Sequence, residues 1–133
     1  MWIYVGLGGI IGSLLRYFVS VLTVNFTYYH FPLPTFIVNV IGSFLLGFLS
    51  SYFLEKEFHQ RKMYAAITTG VIGSFTTFST FTNEIVRFIR NANYTIGMIY
   101  LFLSIVLGLS FSYLGMSMGR KWSKNEIVKN RQE

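Results

Sequence analysis

Four apolar runs, at about residues 2–24, 35–54, 63–90 and 95–119, take up most of the chain, with short polar interruptions between them. Each run has roughly the 20 residues that a helix needs to cross a bilayer core of about 30 Å. The interruptions carry helix-ending chemistry. The segment 25–34 holds Asn25, His30, Pro32 and Pro34; prolines lack an amide donor and push the preceding residue out of helical geometry. The second run stops at Glu55-Lys56-Glu57, with His59, Arg61 and Lys62 after it, and Arg90-Asn91-Ala92-Asn93 makes a short turn. The fourth run closes at Gly119-Arg120-Lys121. The pattern predicts one all-α membrane domain over residues 1–133 with four transmembrane helices. The polar tail 120–133 is expected to fray or to lie on the membrane surface. The first run is too long for a signal-peptide core and no basic segment precedes it, so it reads as a retained helix.

The third run is unlike the other three. Between Gly70 and Asn83 it holds two glycines, six hydroxyl side chains (Ser74, Thr76, Thr77, Ser79, Thr80, Thr82) and Phe75, Phe78 and Phe81. Glycine and hydroxyl residues in that density are poor helix formers. Irregular backbone at membrane depth persists only where protein buries it or where it lines a water-filled cavity. A broken third helix is therefore expected, and function is expected at the break.

Composition narrows the class. Charged residues make up 12% of the chain and hydrophobic residues 53%, against about 25% charged in soluble domains. The absence of cysteine excludes disulfides, thiolate catalysis and cysteine metal sites. No Ser/His/Asp set, histidine cluster or carboxylate pair falls within the runs, so an enzyme is not expected. Gly6-Leu7-Gly8-Gly9-Ile10-Ile11-Gly12 lacks the dinucleotide-binding spacing, because position 11 is isoleucine. Asn25-Phe26-Thr27 and Asn93-Tyr94-Thr95 match the glycosylation sequon, a short and unspecific pattern.

The net charge of +6 reads as topology rather than as nucleic-acid binding. With four spans, eight basic residues (Lys56, Arg61, Lys62, Arg120, Lys121, Lys124, Lys129, Arg131) share one side; Arg87 and Arg90 take the other, and Arg16 lies inside the first run. That bias places both termini in the cytoplasm of a plasma-membrane protein.

Several residues carry candidate chemistry. Arg16 is a permanent cation within a span; it either faces a polar path that draws anions or snorkels to an interface. Asn39 supplies two amide donors, for an anion or for an interhelical bond. Phe75, Phe78 and Phe81 recur every third residue, along one stripe if the helix were continuous, and their ring edges are electropositive. Gly73 and Thr76 flank the expected break, where freed carbonyls bind cations such as Na+ and half-helix N-termini attract anions. Gly8/Gly12/Arg16, Asn39/Ser43/Gly47 and Ser104/Gly108/Ser112 form helical stripes of small and polar residues that let helices approach closely. They serve packing within one chain or a polar path between chains; three in so small a protein point to an oligomer.

These residues together resemble the Fluc (CrcB) fluoride channels. The likeness rests on Gly8-Gly9-x-x-Gly12-x-x-x-Arg16-Tyr17, Val38-Asn39-x-x-Gly42-Ser43-Phe44-x-x-Gly47 and Gly70-x-x-Gly73-x-x-Thr76-Thr77-Phe78-Ser79-Thr80-Phe81. It covers essentially the whole chain in length, span number and motif order. It implies an antiparallel dimer in the cell membrane that exports fluoride passively and lowers its cytoplasmic concentration. It also implies a structural Na+ on the main-chain carbonyls of Gly73 and Thr76. The fluoride pathway would then include Asn39, Phe78, Phe81, Ser79, Thr80, Ser104 and Tyr100, with Arg16 as the vestibule cation. Many relatives have a second glycine where this chain has Ser74, and a small aliphatic residue where it has Phe75. The charge bias favours one insertion orientation, which points to a heterodimer with an oppositely oriented paralogue as an alternative to a homodimer.

Two other classes compete. A small multidrug-type exporter, coupled to protons, needs a carboxylate within a span; Glu84, near the end of the third run, is the only candidate. A membrane assembly subunit without transport would carry no ion flux.

Overall fold

The computed structural model describes residues 2–23, 31–53 and 61–130, with the side chains of 61–62 and 126–130 excepted. The expectations for Asn25, Thr27, His30, Lys56, His59 and Arg131 lie outside the described residues. What is described is almost wholly helical, with no strand. Helix α1 spans Trp2–Thr23 and α2 spans Leu33–Phe53. Pro34 falls in the first turn of α2, where no amide is needed. A short α3 (Arg61–Ala65) runs into a π-helical segment, Ala66–Ile72, then into the single turn α4 (Gly73–Phe75). Helix α5 spans Phe78–Arg90 and α6 spans Tyr94–Asn130.

Three helices, Trp2–Thr23, Leu33–Phe53 and Tyr94–Asn125, are long and apolar enough to cross a membrane. The third run is interrupted at Thr76-Thr77: helical backbone, partly π, covers 61–75 and resumes as the 13-residue α5, about 20 Å of helix.

Two packing pairs organise the chain. Helix α1 lies mainly on the π-helical segment and α2 mainly on α6. Both pairs depend on missing Cβ atoms. A Cβ on Gly8 would overlap the Ala66 carbonyl, and one on Gly12 the Val71 carbonyl and Ser74 Oγ. One on Gly70 would lie 2.6 Å from Val5 O. On the other pair, Gly47 faces the Ser112 carbonyl, Gly115 the Phe44 carbonyl and Gly119 the Phe48 carbonyl, each with no room for a side chain. The small-residue stripes thus close helix–helix contacts within one chain, as close backbone approach requires. Ser74, the departure from the family pattern, is helical rather than in the left-handed region. Its hydroxyl donates to Gly9 O (2.9 Å) on α1 and to Gly70 O (2.7 Å), so the serine ties α1 to the segment before the break.

The tail differs from the expectation. Helix α6 continues past Gly119 to Asn130 without interruption. Gly119 is there because Phe48 approaches it, and the Arg, Lys and Glu residues that follow are good helix formers.

Candidate functional site

The helix gives way at Thr76 and Thr77, which are extended (φ −79°, ψ 159° and φ −148°, ψ 118°). Gly73 is still helical, at φ −62° and ψ −30°. Gly73 and Thr76 therefore do not bracket the irregular residues symmetrically: Gly73 begins the last turn before them and Thr76 is the first of them. The extended pair also divides the expected phenylalanine stripe. Phe75 points into the core at 8% exposure, while Phe78, beyond the break, is 80% exposed. Two extended residues turn the chain out of the 100° per residue on which the stripe depended.

Side chains from both flanks hold the break. Thr76 N–H and Thr76 Oγ1 both donate to Ile72 O, at 3.0 and 2.9 Å. Thr77 N–H donates to Asn39 Oδ1 at 2.8 Å, and Asn39 Nδ2 donates back to Thr77 O at 3.1 Å. The Asn39 amide thus takes the place of a neighbouring strand for one extended residue. Thr77 also caps α5: its Oγ1 accepts from Thr80 N–H at 3.2 Å. Because Thr77 N–H turns to Asn39, the Gly73 carbonyl loses its ordinary helical donor four residues on.

A cavity of about 370 Å3 opens beside the break. Asn39, Gly73, Thr76, Phe78, Phe81 and Ser104 all line it, so six of the residues singled out from the sequence meet at one place. Ser104 Oγ is buried and makes no hydrogen bond. A second cavity, of about 310 Å3, is lined by Arg16 and Thr80 with Ser13, Tyr17, Ser20, Thr35, Val38 and Thr77. Thr77 borders both, so the clamped residue is a shared wall. No carboxylate pairs with Arg16 among the described residues. Ser79 lines neither cavity; it is exposed, with its hydroxyl 3.4 Å from Thr77 Oγ1.

Tyr100 lies beneath Phe81, ring centroids 5.2 Å apart, and is wholly buried. Its hydroxyl donates to Glu84 Oε2 at 2.7 Å. Thr35 Oγ1 donates to Glu84 Oε1 at 2.8 Å. Sequence reading weighed Glu84 only as an exporter carboxylate and gave Thr35 no role. A lone acid in an apolar run signals a polar partner inside the fold, but which hydroxyls supply it depends on how α2, α5 and α6 meet. Thr77 was likewise missed as the clamped residue, although a threonine just before a helical run is a capping signal.

Comparison with known proteins agrees in extent with this layout. Residues 3–116 match the family model described as CrcB-like protein, Camphor Resistance (CrcB). The chain is 39% identical over 119 residues to a protein of Bacillus cereus named fluoride-specific ion channel FluC 1, covering 90% of this chain and 87% of that one. It is 37% identical over 122 residues to fluoride-specific ion channel FluC 2 of Staphylococcus saprophyticus, covering 92% and 98%. To the fluoride-specific ion channel FluC of Oceanobacillus iheyensis it is 39% identical, covering 92% and 93%. With the family model spanning most of its length and relatives of this similarity matched nearly end to end, the chain belongs to the CrcB family of membrane proteins.

Proposed function

We propose that this chain is a fluoride-specific channel subunit, not an enzyme, that lets fluoride leave the cytoplasm passively. The observation that carries the reading is the cavity at the break, where an amide, hydroxyls and two phenylalanines converge in a protein of this family. Fluoride is small and strongly hydrated, so a narrow path must replace its water with donors or the bare anion is prohibitively costly. Ser104, Thr80 and Ser79 hydroxyls, the second Asn39 N–H and the edges of Phe78 and Phe81 are such donors. Arg16 raises the local anion concentration at the second cavity. Tyr100 supports Phe81 from below. Chloride is larger and would be rejected by size and ligand field together.

In this reading the segments from Arg61 to Arg90 form the third of four transmembrane helices, broken at Thr76-Thr77. The subunits assemble as an antiparallel dimer, either of two copies or with an oppositely oriented paralogue. Each chain on its own leaves Phe78 uncovered, which a partner would change. The carbonyls of Gly73 and Thr76 would hold a structural Na+. The donor set fits: hard oxygens suit Na+, and the Gly73 carbonyl has been released from its helical donor. Two carbonyls are too few for an ion, so a partner's pair would complete them. Both termini would face the cytoplasm, on the side richer in Lys and Arg.

The test is fluoride efflux from proteoliposomes holding this chain alone, beside chloride efflux and a proton-driven cation assay. Passive fluoride efflux without chloride efflux is expected. Proton-driven cation uptake would assign it to the exporters instead, and no flux of either kind to a non-transporting subunit. Efflux only on adding a paralogue would establish the heterodimer.

A further inference from the structure

The end of α6 is a docked cationic ledge rather than a loose tail, and we infer that it binds anionic phospholipid headgroups. Three observations carry this. First, the helix is fixed in rotation. The inward face carries Gly119, against Phe48 O and 3.1 Å (as an added Cβ) from Ser51 Cβ, and Ser123, 3% exposed. Trp122 stands edge-on to Phe48, ring centroids 5.8 Å apart. Second, that rotation leaves Arg120, Lys121 and Lys124 exposed. Arg120 and Lys124 are one turn apart and Lys121 lies beside them, so the three cations share one face. Third, the ledge is at the right depth. Phe48 and Ser51 lie on α2 within two turns of Glu55-Lys56-Glu57, where the second apolar run stops. The three cations therefore sit where α2 leaves the hydrocarbon and lipid phosphates begin.

Clustered basic residues at the end of a transmembrane helix attract negatively charged headgroups. Arginine adds a planar fork that matches a phosphate in two hydrogen bonds. Trp122, partly exposed beside them, is a residue type that settles at the membrane–water boundary. A frayed tail would present the same charges at no fixed depth. The docked helix holds them level with one headgroup layer, so its occupant is a lipid of that layer.

The chain has two tryptophans, Trp2 and Trp122, so a Trp2→Phe background leaves Trp122 as the sole reporter. The full chain in that background is reconstituted into phosphatidylcholine vesicles with a minor share of brominated phosphatidylglycerol, whose bromine quenches nearby indole. Trp122 should be quenched as though the local share were at least about threefold the bulk share. Brominated phosphatidylcholine at the same mole fraction should quench only in proportion to its bulk share. Equal quenching by the two lipids overturns the proposal without any ledge variant. Replacing Arg120, Lys121 and Lys124 together with glutamine should remove the excess and leave fluoride efflux unchanged; excess that survives in this variant also overturns it. Millimolar inorganic phosphate should leave the excess intact. If it abolishes the excess, the site takes soluble phosphate and the assignment to lipid fails.

Discussion

Asn39 closes a two-way hydrogen bond with the backbone of Thr77, accepting from its N–H at 2.8 Å and donating to its carbonyl at 3.1 Å. Thr77 is buried and extended in the middle of an apolar region. Its amide has no helical partner, and its carbonyl, which as the N-cap accepts the first bond of α5, takes the Asn39 amide as a second donor, so one side chain of α2 fixes the break in place.

Asn39→Ala should therefore weaken the fold as well as the path. The buried Thr77 N–H loses its partner, at about 1–3 kcal/mol, and Thr77 O loses its second donor. Asn39→Asp keeps the acceptor but sets a carboxylate against Thr77 O and adds a negative charge beside an anion path. Both variants should lower the thermal midpoint in detergent and reduce fluoride efflux by about tenfold or more, as a barrier change of ~1.4 kcal/mol gives. Efflux at the parent rate in Asn39→Asp would remove Asn39 from the pathway.

Phe78 and Phe81 should separate function from stability. Phe78 is exposed on the chain, and among the described residues its one ring contact is with Phe81, tilted, with centroids 6.2 Å apart. Phe78→Ala should cut efflux while leaving the midpoint of the isolated chain within about 0.5 kcal/mol of the parent. Phe81 also rests on Tyr100, and Phe81→Ala should lose both flux and about 1–3 kcal/mol of stability. Unchanged efflux in both would sink their assignment to the path.

Ser104 offers a complementary test. Its hydroxyl is buried without a partner, so Ser104→Ala removes an unsatisfied group and should be neutral or stabilising by about 1 kcal/mol. A variant more stable yet slower in fluoride efflux would identify this hydroxyl as one kept for the ion. Efflux unchanged would leave it no transport role.

Two neighbouring glycines should respond oppositely to one methyl group. At Gly12 a Cβ would collide with the Val71 carbonyl, whereas at Gly9 nothing lies within 4 Å. Gly12→Ala should separate α1 from the π-helical segment and lose several kcal/mol, of the order of an overpacked core. Gly9→Ala should be neutral or gain a few tenths from helix propensity, up to about 1 kcal/mol. Yield and midpoint of the two purified variants decide it.

Strain at the turn after α5 supplies a further prediction. Ala92 has φ 54°, the only positive φ among the described non-glycine residues. It follows the end of α5, with Asn93 N–H bonded to Phe88 O at 2.9 Å. The left-handed region costs an L-residue about 1 kcal/mol that glycine does not pay. Ala92→Gly should raise the midpoint by about that amount with efflux unchanged.

Much of this protein is determined by sequence alone, because a bilayer imposes simple rules. Apolar runs and proline positions mark out α1, α2 and α6, the three helices long and apolar enough to cross a membrane. The density of glycine and hydroxyl residues marks the third run as irregular, since no regular helix favours that composition in lipid. Asn39, Phe78, Phe81 and Ser104 are legible as unusual polar or aromatic positions. Their convergence on one cavity, and the clamp between Asn39 and Thr77, arise only when α2, α5 and α6 meet, because hydrogen bonds across 38 residues of sequence leave no local trace. The site of the break is likewise a tertiary outcome. Local propensity favours Gly73, but Gly73 stays helical while Thr76 and Thr77 extend, because Asn39 is there to receive Thr77. The tail follows the same logic. Its charges and helix-forming residues are visible in the sequence, but only the contacts of Gly119 and Trp122 with α2, with Ser123 buried beside them, fix which face carries the cations.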